Sequence, residues 1–163
     1  MRRVLSVLAI ITFIFVAESA AQNLETGKGT SPVEFQQYDS YFEKNNSGLK
    51  GTTSYLVFAN QKQFDKVFGS AATGERNNFL PADVFKSSLV VAAIKRGSLR
   101  HYADVKVTAR NGKLFVWYET RDDAPSSATY STPLILALDK GKYNEVIFME
   151  NGKRAGTAKL KKR

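Results

Sequence analysis

Cysteine is absent from all 163 residues, and its absence removes several classes of function at once. No disulfide can staple the fold, and no thiolate can attack a substrate or hold a metal. No lipid can be attached in the manner of a bacterial lipoprotein, which needs a cysteine just after its cleavage site. Histidine occurs once, at His101. That excludes metal sites built on two imidazoles. A serine–histidine–acid triad lacks any Gly-x-Ser-x-Gly setting for its nucleophile. Long apolar runs are missing too. Residues 4–17, broken only by Ser6 and Thr12, extend ~21 Å as a helix, against a hydrocarbon core of ~30 Å.

What that segment does contain is the anatomy of a secretory signal peptide. Met1-Arg2-Arg3 supplies a positive start, the apolar run follows, and Ser19, Ala20 and Ala21 provide small side chains before Gln22. Cleavage after Ala21 is expected. The chain then divides into a signal peptide over 1–21, a flexible leader over 22–31, one β-rich domain over 32–160 and a basic tail over 161–163. The expected location is periplasmic or secreted, with no membrane span and no lipid anchor.

The formal charge of +9 is unevenly spread. Removing residues 1–21 takes away two Arg and one Glu and leaves +8, of which Lys153, Arg154, Lys159, Lys161, Lys162 and Arg163 supply six. A nucleic-acid binder carries a basic face across its fold, whereas here the charge gathers at one end. Lysines on a terminal strand keep its edge soluble, so no nucleic-acid partner is expected.

The body alternates like a sheet. Residues 52–59 read as a strand, after which the period changes. Asn60 with Gln63 forms a helix start, Phe64, Val67 and Phe68 form one apolar stripe, and Gly69 suits a left-handed residue past the helix end. Residues 80–86 suggest a further helical turn. Residues 88–96 and 134–138 are apolar on both faces and belong in the middle of a sheet. Pro133 implies that its strand enters by an edge or a bulge. Asn111-Gly112 and Asn151-Gly152 are two hairpin turns. The fold class expected is α+β: a mostly antiparallel sheet of about six to eight strands, with one short amphipathic helix packed on it.

The first hairpin carries the candidate site. Register from its two-residue turn puts Ala109, Val107 and Val105 opposite Leu114, Val116 and Tyr118 on the core face. On the other face Thr108, Lys106, Asp104 and Tyr102 meet Phe115, Trp117, Glu119 and Arg121. If that face is open, Phe115 and Trp117, flanked by Tyr102, Lys106 and Arg121, offer aromatic anchors of the kind enriched at binding hot spots. The helix around Phe64 lying over it is the competing expectation. Asp104 facing Glu119 is unfavourable unless neutralised. Asp104, Glu119, Asp122 and Asp123 read as solvated or salt-bridged carboxylates rather than an oxygen cage for calcium. No metal or cofactor is expected.

A Phe-rich helix is followed by Phe85-x-x-x-Leu89-Val90-Val91-Ala92-Ala93, then Tyr102-x-x-Val105-x-Val107, Asn111-Gly112-Lys113-Leu114, Val116-x-Tyr118 and Thr132-Pro133-Leu134. This order resembles the C-terminal domain of the protease-complex subunit PrcB and its exported bacterial relatives. The paired glycines before that family's tyrosine are replaced here by residues 97–101, and no site residue carries over. The resemblance implies a non-enzymatic exported domain that accompanies a protease or another envelope protein. Two function classes stand beside that accessory module. One is a small-ligand carrier with a pocket between helix and sheet; the other is an enzyme using Asp104 or Glu119.

Overall fold

In the computed structural model, residues 29–71, 77–97, 100–122 and 131–160 are described. Two sheets face each other. The first runs in the order β1 (Ser31–Pro32), β7 (Arg100–Arg110), β8 (Lys113–Asp122), β10 (Glu145–Glu150), β11 (Lys153–Lys159). The second runs β2 (Phe35–Tyr38), β9 (Ser131–Asp139), β6 (Ser88–Arg96), β4 (Thr53–Phe58). A small ribbon pairs β3 (Tyr41–Glu43) with β5 (Phe68–Ser70). The α+β class and the predominance of antiparallel pairing hold. Eleven strands are present among the described residues rather than six to eight, and the surplus is the two- and three-residue pieces β1, β3 and β5.

Apolar patterning explains the layers. The inner faces of both sheets meet in one cluster that includes Leu89, Val91, Val107, Leu114, Val116, Leu134, Leu136, Val146 and Phe148. The second sheet buries its outer face as well. There Val90, Ala92, Ile94, Ile135 and Ala137 pack against Phe58, Phe64, Val67, Phe68 and Val84. Strands β6 and β9 are covered on both sides, as their unbroken apolar runs require. The two helices, α1 (Gln61–Val67) and α2 (Val84–Ser87), supply part of that cover. The Asn60 side chain caps α1 by accepting from the Gln63 amide at 3.0 Å, while the Gln63 side chain reaches back to the Ala59 amide at 3.1 Å. Gly69 is not a left-handed cap. The helix passes directly into β5, and Gly69 lets the tip of the exposed Phe42 ring lie over it, where a Cβ would push that ring aside.

Both Asn-Gly turns have positive φ at each residue, as a type I′ turn demands. Pro133 pairs with Ile94, but β2 pairs with β9 only from Ile135 to Leu138, so the proline sits where β9 is locally an edge. One pairing departs from the antiparallel pattern: β10 runs parallel to β8. Parallel neighbours need a crossover, and the crossover here is β9, which lies in the opposite sheet.

At one side of the sandwich, edges β4 and β11 lie alongside each other. A bulge between Phe148 and Met149 sets Gly156 opposite Phe148. The Tyr55 ring fills the space above Gly156 and stands 5.0 Å from the Phe148 ring. That contact closes the seam.

Candidate functional site

The expected site on the first hairpin is only partly assembled. Lys106, Phe115 and Trp117 do share the outer face of the first sheet. The Lys106 ammonium lies 5.4 Å above the Trp117 ring, Phe115 stacks beside Trp117 at 6.4 Å, and the Trp117 indole N–H donates to Thr108 Oγ1 at 3.2 Å. The parallel neighbour β10 brings Ile147 and Met149 next to them. Phe115 is 6 % exposed and Trp117 8 %, so these rings are not open anchors. Nor does α1 cover them, because it packs on the other sheet.

Tyr102 is not part of this group. The pairing steps from Ala103–Glu119 to Lys106–Trp117, so Asp104 and Val105 together oppose Tyr118. This bulge moves Tyr102 to a position opposite Thr120, with its ring packed edge-on against Tyr118 at 5.6 Å on the inner side. The bulge also takes the two like charges out of direct register, since Glu119 faces Ala103 instead of Asp104, though both line one shallow pocket with Lys106 and Trp117. Asp104 occupies the left-handed region at φ 50°, which Asp tolerates better than most residues. Arg121 is exposed opposite His101, at the far end of the hairpin. Among the described residues, no three His, Asp or Glu side chains stand together as a metal-holding group. Asp123 lies outside the described residues.

A second site was not read from the hairpin at all. Where the β4–β11 seam opens, a cleft of about 550 Å³ lies between the end of β4, the start of α1, the start of β6, the loop at residues 140–144 and the end of β11. Its apolar wall is Val57, Leu89, Tyr143 and Leu160. All four belong to, or pack against, the inter-sheet core. The polar part of the lining is Gln63, Lys140, Asn144 and Lys159. Size and make-up match sites that hold small ligands, which run from about 300 to 1,000 Å³ with a few placed polar groups.

Five hydrogen bonds hold the loop that forms the cleft's outer wall. The Lys140 amide donates to Ser87 O at 3.0 Å, and its ammonium donates to the carbonyls of Phe85 and Lys86 at the end of α2. The Asn144 amide donates to Gly112 O at 2.9 Å, and Asn144 O accepts from the Leu160 amide at 3.0 Å. Gly141 lets the Tyr143 ring fold back over the loop, since a Cβ there would stand 2.4 Å from Tyr143 Cε2. The wall is thus tied to α2, to the first hairpin turn and to the end of β11. It is preformed.

Two signals in the sequence pointed toward this region without locating it. Gln63 was legible as a capping residue, and Lys140-Gly141-Lys142 was legible as a turn. Their meeting depends on contacts across more than seventy residues of chain. Comparison of the chain with protein-family models, with curated proteins and with solved structures found no match.

Proposed function

We propose that the chain is an exported, non-enzymatic binding domain that carries a small ligand in the cleft at the open end of the β4–β11 seam. The observation that carries this reading is the preformed cavity of about 550 Å³ whose floor continues the inter-sheet core. Among the described lining residues none is acidic and none is histidine, so the site is suited to holding a molecule rather than to moving protons. Its setting between α1 and the sheets is the arrangement a helix–sheet carrier requires. The test is a thermal-shift screen with envelope metabolites. A ligand held by the folded state raises the midpoint, the stabilisation growing as the logarithm of its concentration once that exceeds Kd. Ala59→Trp, which fills the mouth, should abolish that rise. A rise that persists in the filled variant would overturn the assignment.

A second reading follows from the outer face of the first sheet. Phe115, Trp117, Ile147 and Met149 are buried there, and the accessible part of the face is Lys106 over the Trp117 ring with the exposed Asp104 and Glu119 beside it. On this reading the domain is an accessory of an envelope protein, such as the protease implied by the PrcB-like resemblance. A photo-crosslinker at position 106 should then capture one specific envelope protein. Capture that survives Trp117→Ala unchanged would count against that face.

A further inference from the structure

We propose that the ligand of the seam cleft is a single-chain amphiphile with an anionic head group, an inference that rests on the cleft being the binding site. The tail is argued from the wall. Val57, Tyr143 and Leu160, partly buried, and Leu89, buried beneath them, form the end of the inter-sheet core, so an aliphatic chain placed there extends that core and gains the usual stabilisation of buried apolar area.

The head is argued from charge. Two lysines line the cleft, and no described lining residue is acidic. The Lys140 ammonium is turned to the Phe85 and Lys86 carbonyls at the end of α2, whose partial negative charge offsets part of its own, so Lys140 contributes to the field at the rim of the cleft and Lys159 is the cation left to meet a head group. Lys159 stands opposite Glu145 in the β10–β11 register, but that carboxylate is engaged by Lys113 at 3.2 Å and by Arg154 at 3.9 Å. The cleft therefore has a net positive lining beside an apolar floor, with Lys159 as the cation positioned to meet a head group. A cationic or zwitterionic occupant would be repelled or indifferent; an anion is attracted. Carboxylate and phosphate heads share this chemistry.

Titration calorimetry on the exported protein, below the micelle concentration of each probe, separates the outcomes. Dodecanoate and dodecyl phosphate should bind more tightly than dodecanol, and dodecylammonium should bind least. Lys159→Glu should weaken dodecanoate about fivefold and leave dodecanol unchanged, with Lys159→Gln intermediate. Lys153→Glu, at the far end of the same strand, should have little effect. Preference between the two anions identifies the head-group source and supports the proposal either way. Equal binding of all four probes, or equal losses from the two charge reversals, would overturn the anionic class while leaving the cleft intact as a site. Binding that is absent for every probe, or that survives Ala59→Trp, would overturn both the class and the cleft.

Discussion

Tyr118 shows how a single side chain sets a pH response. Its ring lies in the inter-sheet core at 3 % exposure, and its hydroxyl reaches only toward the Tyr55 side chain, without a well-formed hydrogen bond. Burial first, and then the neighbouring Tyr55, Glu150 and Tyr102, push the phenol well above the ordinary tyrosine value. Burial raises Tyr38 and Tyr41 as well, against a lowering influence on Tyr41 from the Leu80 amide that its hydroxyl accepts. A raised value means that the folded state keeps the proton longer than the unfolded chain does. The associated stability is complete below about pH 10, where an unfolded tyrosine titrates. It is lost as pH climbs from there toward the folded value. Urea unfolding at about pH 9 and about pH 11 should show a larger loss for the parent than for Tyr118→Phe. At neutral pH that variant should be as stable as the parent or more stable by about 1 kcal/mol, because it removes an enclosed hydroxyl whose contact with Tyr55 is poorly formed. A loss of stability at neutral pH would show that the hydroxyl is bonded after all.

Among the elements, the seam between β4 and β11 carries the most structural consequence. Neither edge is hydrogen-bonded to the other, so the closure depends on side-chain fit. A Cβ at Gly156 would stand 2.1 Å from Tyr55 Cδ2 and 2.9 Å from Tyr55 Cγ. The clash reaches the base of the ring, where a rotation gives little relief. Gly156→Ala should therefore cost about 1–3 kcal/mol. In a Tyr55→Ala background its cost should be much smaller, since the two sites couple through one contact. A four-protein denaturation cycle measures this, and an identical cost in both backgrounds would refute the closure. The ion pairs at this level are local fasteners. Lys95 reaches Glu150 at 2.5 Å between the sheets, and Arg96 grips Glu43 through two hydrogen bonds while also touching Gly51 O.

For the whole molecule the question is where it works. An apolar segment too short to span the bilayer, preceded by two arginines and followed by small residues, has the make-up of a secretory signal peptide, and the export proposed above requires its removal. Protein recovered from its own host should begin at Gln22 by intact mass. A product that still carries Met1 in the cytosol would remove the setting of every functional reading above. Charge belongs to this scale as well. Of the basic residues near the C-terminus, Lys153, Arg154 and Lys159 lie on β11, the first two at its start and the third at its end, and residues 161–163 lie outside the described residues.

Local chemistry was legible along the chain. Asn111-Gly112 and Asn151-Gly152 dictate their turns because few residues accept positive φ, and the capping of α1 by Asn60 and Gln63 is settled within four residues. The two-sided apolar runs at β6 and β9 likewise announce strands covered on both faces. The bulge at Asp104 and Val105 was not legible, since an alternating pattern does not reveal where one residue is inserted, and it alone moved Tyr102 away from Trp117. Neither was the parallel pairing of β8 with β10, nor the placing of α1 on the sheet that lacks Trp117. Those outcomes depend on which apolar faces find each other across long stretches of chain. The cleft arises in the same way, from residues 57 to 160 meeting at the end of a seam. Turns and caps obey their neighbours in sequence, whereas a site made by two edges exists only once both sheets have closed on a common core.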